Sequence, residues 1–245
     1  MPFGRADHAV PVALRETAAW LAGAADIDTR WLVEADPESL VPHSPLVDSP
    51  AVRETIVAAM LRRAGEIEVA DRPWARAGRH LAHPALGRQL REVLAESDAG
   101  PPVEWESRAR VRLAVRLARD AADADLVDRL LQLAEDDAWD DSTHVLAASS
   151  AFAGDPDRAS DRLRGLLRRF TDPAVAVGED PDGELRGGLL RMLWPRHIAT
   201  VDVLPVLRHR GKPRRIGTFR LFRRIFAERL PEGDLDTVLR WAAEE

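Results

Sequence analysis

The chain has 245 residues, no cysteine and a formal net charge of −6. Its 45% hydrophobic and 31% charged content is that of a globular chain with enough length for a sizeable core, and it excludes a disordered one. Without cysteine there are no disulfides, thiolate metal sites or cysteine nucleophiles, and no apolar run approaches the roughly 18–20 residues of a membrane span.

The first twenty residues, MPFGRADHAVPVALRETAAW, lack an apolar stretch behind a basic start. No secretory signal is read there, and the expected location is the cytoplasm. Helix starts then repeat one grammar: an acceptor or loop residue, a proline at the first helical position, and an apolar stripe. Ser49-Pro50 precedes AVRETIVAAMLRRA, and His83-Pro84 precedes ALGRQLREVLAES. Leu126, Leu130, Leu133 and Ala134 step by three and four. Asp155-Pro156 precedes DRASDRLRGLLRRF, and Asp180-Pro181 precedes DGELRGGLLRMLW. Alternating strand-type runs are essentially missing, so the chain is predicted to be all-α, with about ten to twelve helices.

The helices echo one another. LRETAAWL begins at Leu14 and VRETIVAAML at Val52, with looser copies at Val111 (VRLAVRLA), His144 (HVLAASSAFAGD) and Leu185 (LRGGLLRMLW). Apart from one gap near 60, these starts are about 33 to 41 residues apart, the range of helical-hairpin repeats. The expectation is a single helical-repeat domain over residues 1–245, a HEAT-like α-solenoid in which neighbouring hairpins cover each other's apolar faces. It stands alone or forms a segment of a longer protein, with residues 98–104 and 171–183 as long loops.

Within the last copy, Gly187 and Gly188 occupy a helix interior, where each costs about 1 kcal/mol relative to alanine. Close approach of a neighbouring helix offsets such a cost, and small residues at Ala18, Ala114 and Ala147 in other copies fit that reading. Pro195 disfavours helical geometry at Trp194, so the helix is expected to end there. Gly187, Gly188, Trp194 and Pro195 are therefore read as a structural joint between repeats.

DGELRGGLLRMLWPRHI, with the following LPVLRHRGKPRRIGTFRLFRRIFAERLPEGDLDTVLRW, resembles the helical region beyond the ATPase in large bacterial NACHT-type signal-transduction and defence NTPases. There a helix ending in Leu-Trp-Pro precedes a lysine-containing loop, a Phe-rich helix and a final Asp-Leu…Leu-x-Trp helix. LRETAAWL, DPESLV (36–41) and HLAHPALGRQL (80–90) are similar to other pieces of that region, so the resemblance extends along nearly the whole chain. The phosphate loop of the NTPase is missing: Lys212 is the only lysine, it sits in RGKPRR, and no strand precedes it. The resemblance implies a non-catalytic sensing or interaction module, without cofactor, whose partner is a protein, including an NTPase in cis or in trans.

Among the residues themselves, the strongest local feature is basic. Arg208, Arg210, Lys212, Arg214, Arg215, Arg220, Arg223 and Arg224 fall within residues 206–224 without an acid among them. This segment is the candidate surface for a partner or polyanion, which makes a nucleic-acid-binding solenoid the alternative function. Against it, Arg208 and Arg210 suit a helix C-terminus, and the others suit pairing with acids. Asn and Tyr are absent as well as nearly all Lys; these residues share AT-rich codons, so the arginine bias also reflects coding drift. Ile216, Phe219, Phe222 and Phe226 form an apolar stripe, read as core more readily than as a membrane-surface helix.

The remaining motifs nominate little. The acid runs EDDAWDD (135–141) and Asp120, Asp123, Asp125 and Asp128 lack the turned loop of a calcium site, so no metal is expected. His80 and His83 read as capping or packing residues, and no Ser/His/Asp order or G-x-S-x-G occurs, so no catalytic residue is nominated. A HEAT-like DNA glycosylase, using Trp74, Trp105 or Trp139 with Asp140 or Asp141, is the one enzymatic alternative.

Overall fold

The computed structural model describes residues 10–24, 27–66, 78–121, 123–172, 174–176, 180, 182–207 and 217–244. Those residues are all-α, with no strand among them. They form more helical segments than the ten to twelve expected, because short polar breaks divide some: α2 (Arg30–Ala35) and α3 (Pro37–Leu40) meet at Asp36, whose non-helical backbone ends one helix and whose side chain caps the next. By packing, the chain divides into two compact units, Met1–Leu126 and Val127–Glu245.

In the first unit α1 (Arg15–Gly23) buries Ala18, Ala19 and Ala22 and rests on a 3-10 turn at Val41–Leu46. The buried Asp36 carboxylate accepts hydrogen bonds from Ser39 Oγ at 2.6 Å and from the Val10 nitrogen at 2.7 Å. α4 (Pro50–Arg62) starts at the predicted proline, with Ser49 accepting from the Val52 nitrogen, and sends Ile56, Val57 and Met60 into the core. α5 (Leu86–Ala95) begins three residues after His83 rather than directly at Pro84. The reason is local: the His83 ring nitrogens lie 2.7 Å from the Leu81 carbonyl and 2.8 Å from Gln89 Oε1, holding Pro84 and Ala85 in a turn before the helix. α5 packs on α6 (Trp105–Ala121), which buries Val111, Leu113, Ala114 and Leu117.

In the second unit α7 (Val127–Glu135) lies along α8 (Asp141–Gly154), and α8 and α9 (Pro156–Arg168) both pack on α10 (Glu184–Leu193). Asp140 and Asp155 cap α8 and α9 through the Thr143 and Arg158 nitrogens. α8 turns Ala147, Ala148, Ser150 and Ala151 inward, and these small side chains leave room for two helices at once. α11 (Thr200–Leu207) packs against α13 (Leu235–Glu244), and α10 against α12 (Thr218–Arg229). The five echoing sequences fall on α1, α4, α6, α8 and α10. Among the described residues no helix is long and apolar enough to cross a membrane.

Candidate functional site

The paired glycines sit where α10 meets two other helices. A Cβ on Gly187 would stand 2.1 Å from the Phe219 nitrogen of α12, and one on Gly188 would stand 3.1 Å from Val145 Cγ1 of α8. Just ahead of them Gly183 adopts a left-handed φ of 71°, and its carbonyl accepts from the Phe219 nitrogen at 3.0 Å. Thr218 donates from its nitrogen and its hydroxyl to the Glu184 carboxylate. The first turns of α10 and α12 are thus fastened backbone to backbone.

α10 starts at Glu184, three residues later than the Asp180-Pro181 pair predicted. Asp180 still serves the helix, because its carboxylate accepts from the Leu185 nitrogen at 3.3 Å and the Arg186 nitrogen at 2.9 Å. Burial pushes its carboxyl up to about 6, opposed by those backbone bonds and by the Arg186 charge. Arg186 is itself buried, with its guanidinium carbon 3.9 Å from the centre of the Phe219 ring, a cation–π contact. Burial lowers the Arg186 pKa, and Asp180 opposes the shift.

At its other end α10 stops at Leu193, and Trp194 turns extended, φ −87° and ψ 141°, ahead of a cis bond to Pro195. The buried Trp194 ring packs on Phe222 and Phe226 at 5.9 and 5.0 Å between centroids. Its Nε1–H donates to Thr200 Oγ1 at 3.2 Å, and the Thr200 hydroxyl donates to Asp234. Phe219, Phe222 and Phe226 are all buried, so this stripe is core and not a membrane-facing surface. Ile216 lies outside the described residues.

Beside this aromatic cluster opens a cavity of about 570 Å³. Arg191 from α10, Arg196 just after Pro195, and Arg229 at the end of α12 line it, together with Pro195, Ile225 and the edge of Trp194. The three arginines are exposed, and none forms an ion pair with a carboxylate among the described residues. Five other arginines of this unit are matched with acids: Arg158 with Asp128, Arg162 with Glu135, Arg164 with Asp161, Arg169 with Asp137 and Arg224 with Glu228. These residues come from three separate places in the chain, so no contiguous basic run like that of residues 206–224 announces them.

Of that run, Arg208, Arg210, Lys212, Arg214 and Arg215 lie outside the described residues. Arg220, Arg223 and Arg224 are exposed on α12, where Arg224 holds Glu228 at 2.8 Å. From the acid runs, Asp128, Glu135 and Asp137 hold arginines in the ion pairs above and Asp140 caps α8, and no group of metal-type ligands occurs among the described residues. His80 accepts from Arg79 Nε at 3.2 Å. Trp74 lies outside the described residues; Trp105, in the first unit, is exposed and donates to the Gly65 carbonyl, and Trp139, in the second, is buried.

The first unit has its own open feature, an apolar cavity of about 320 Å³ lined by Leu14, Leu21, Ile27, Trp31 and Leu32. Trp31 is 69% exposed and Leu14 53%, with Val12 and Trp20 also exposed nearby in sequence. No protein-family model, curated protein or solved structure matches the chain.

Proposed function

We propose that the chain is a non-catalytic helical-repeat module that engages a protein partner, with a HEAT-like stacking of its hairpins. The observation that carries this reading is the apolar cavity of the first unit with Trp31 and Leu14 held in solvent beside it. Large exposed apolar side chains around a concavity are the usual anchor points of protein interfaces, where Trp is enriched among the residues that dominate binding. The placement of all five sequence echoes on helices, α1, α4, α6, α8 and α10, supports the repeat reading. The Leu-Trp-Pro and Phe-rich residues 185–226 support kinship with the sensing region of NACHT-type NTPases, which makes such an NTPase the first partner to look for.

The test compares wild type with Trp31→Glu as baits in a cell lysate, with and without nuclease. A protein that survives nuclease and is lost with Trp31→Glu supports the reading. Equal recovery on both baits overturns it. The second reading, a nucleic-acid-binding module, is favoured by Arg220 and Arg223, exposed on α12 without a carboxylate partner among the described residues. It expects recovery that vanishes with nuclease, and oligonucleotide binding whose log K falls against log salt with a slope of about −7 if all eight cations of the segment meet phosphates.

A further inference from the structure

We propose that the cavity beside Trp194 and Pro195 binds a phosphate-rich small anion through Arg191, Arg196 and Arg229. This goes beyond the protein-partner reading and does not depend on it, because it uses only residues of the second unit.

Three guanidiniums lining one concavity repel one another, an arrangement that an anion relieves. Acids outnumber bases in this chain, 41 to 35, and five other arginines of the unit hold carboxylates. The three around the cavity hold none among the described residues, so their donors remain available. Each guanidinium offers about five N–H donors in a planar fork, whereas a single carboxylate accepts at about four lone-pair sites. A di- or triphosphate group matches the donors better, in charge and in acceptor number, and arginine pairs with phosphate oxygens two at a time. The cavity of about 570 Å³ falls in the range of small-molecule sites. Pro195 and Ile225 give it an apolar side on which an uncharged body can rest. The shared chemistry is therefore the polyphosphate, from either a nucleotide or a free inorganic chain.

The support beneath the site is firm. Trp194 is held by Thr200 and by two phenylalanines, and Arg191 and Arg229 belong to helices α10 and α12, which are fastened at their first turns.

The test is titration calorimetry of the full chain with sodium tripolyphosphate, with ATP and with a single-stranded oligonucleotide. The double variant Arg191→Gln/Arg229→Gln is compared with Arg168→Gln/Arg240→Gln, which removes the same charge from exposed positions elsewhere in the second unit. Saturable tripolyphosphate binding is expected, weakened about tenfold or more by the first double variant and little changed by the second. ATP tighter than tripolyphosphate identifies the source as a nucleotide; equal affinities identify the inorganic chain. The single change Arg196→Glu, at an exposed position, repeats the comparison if the double variant melts early. The proposal is overturned by absence of saturable binding, by equal weakening in both double variants, or by binding of the oligonucleotide alone.

Discussion

Gly187 lies so close to Phe219 that a methyl group on the glycine would sit 2.1 Å from the phenylalanine's backbone nitrogen. Backbone cannot swing aside as a side-chain tip does, so Gly187→Ala must part α10 from α12. The gain of about 1 kcal/mol in helix propensity is outweighed, and a net loss of about 2–3 kcal/mol is expected. Gly188→Ala meets only Val145 Cγ1 at 3.1 Å, a side chain able to shift slightly, and is expected to lie within about 1 kcal/mol of wild type. Urea unfolding of both variants checks the contrast; equal losses would refute it.

Gly165 gives the opposite outcome on α9. It is exposed, and nothing stands within 4 Å of a Cβ built there. Gly165→Ala is expected to stabilise the protein by about 0.5–1 kcal/mol, through helix propensity and a less flexible unfolded chain. An unchanged or lower melting temperature would count against the packing described for α9.

Asp180 makes stability depend on pH in an unusual direction. Its folded-state pKa of about 6 lies above the ordinary 3.8, so the folded protein holds this proton more tightly than the unfolded chain. Its contribution to stability is therefore least favourable above about pH 6 and improves as pH falls towards 3.8, by up to about 3 kcal/mol. Asp180→Asn removes the titration. Between pH 7 and pH 4.5 the wild type should gain melting temperature relative to the variant; parallel profiles would show that Asp180 is not the group responsible.

Phe226→Ala should cost about 3–4 kcal/mol, because the ring is buried against Trp194 and Phe222. Trp31→Ser, at an exposed position, should change stability by no more than about 0.5 kcal/mol. Thermal unfolding of the two variants, side by side, separates a core aromatic from a surface one. Similar losses would mean that Trp31 is packed more deeply than its exposure indicates.

The all-α class was legible because local chemistry decides it. Ser49 and Asp155 announce α4 and α9 through acceptors followed by proline, and both helices start where that grammar places them. Asp180 and His83 misled the reading by a few residues for one shared reason. Each side chain reaches over a turn to bond a group further along, so the helix begins after the proline rather than at it. The small residues Ala18, Ala114 and Ala147 are all buried, but which neighbour each one admits is decided by tertiary packing. The cavity arginines were illegible for a different reason. Arg191, Arg196 and Arg229 are spread over 39 positions of a chain rich in arginine, and what distinguishes them is that they line one cavity, a property of three-dimensional neighbours.

The Asp36 carboxylate gives the first unit an early clasp. One buried side chain joins Val10, the first described residue, to the start of α3, 26 positions later in the case of its own bond. The Val10 amide can therefore exchange with solvent only when that clasp opens, and its protection follows the breathing of α3 rather than local motion of its own segment. A segment that looks peripheral in the sequence is, in its opening and closing, part of the unit's interior.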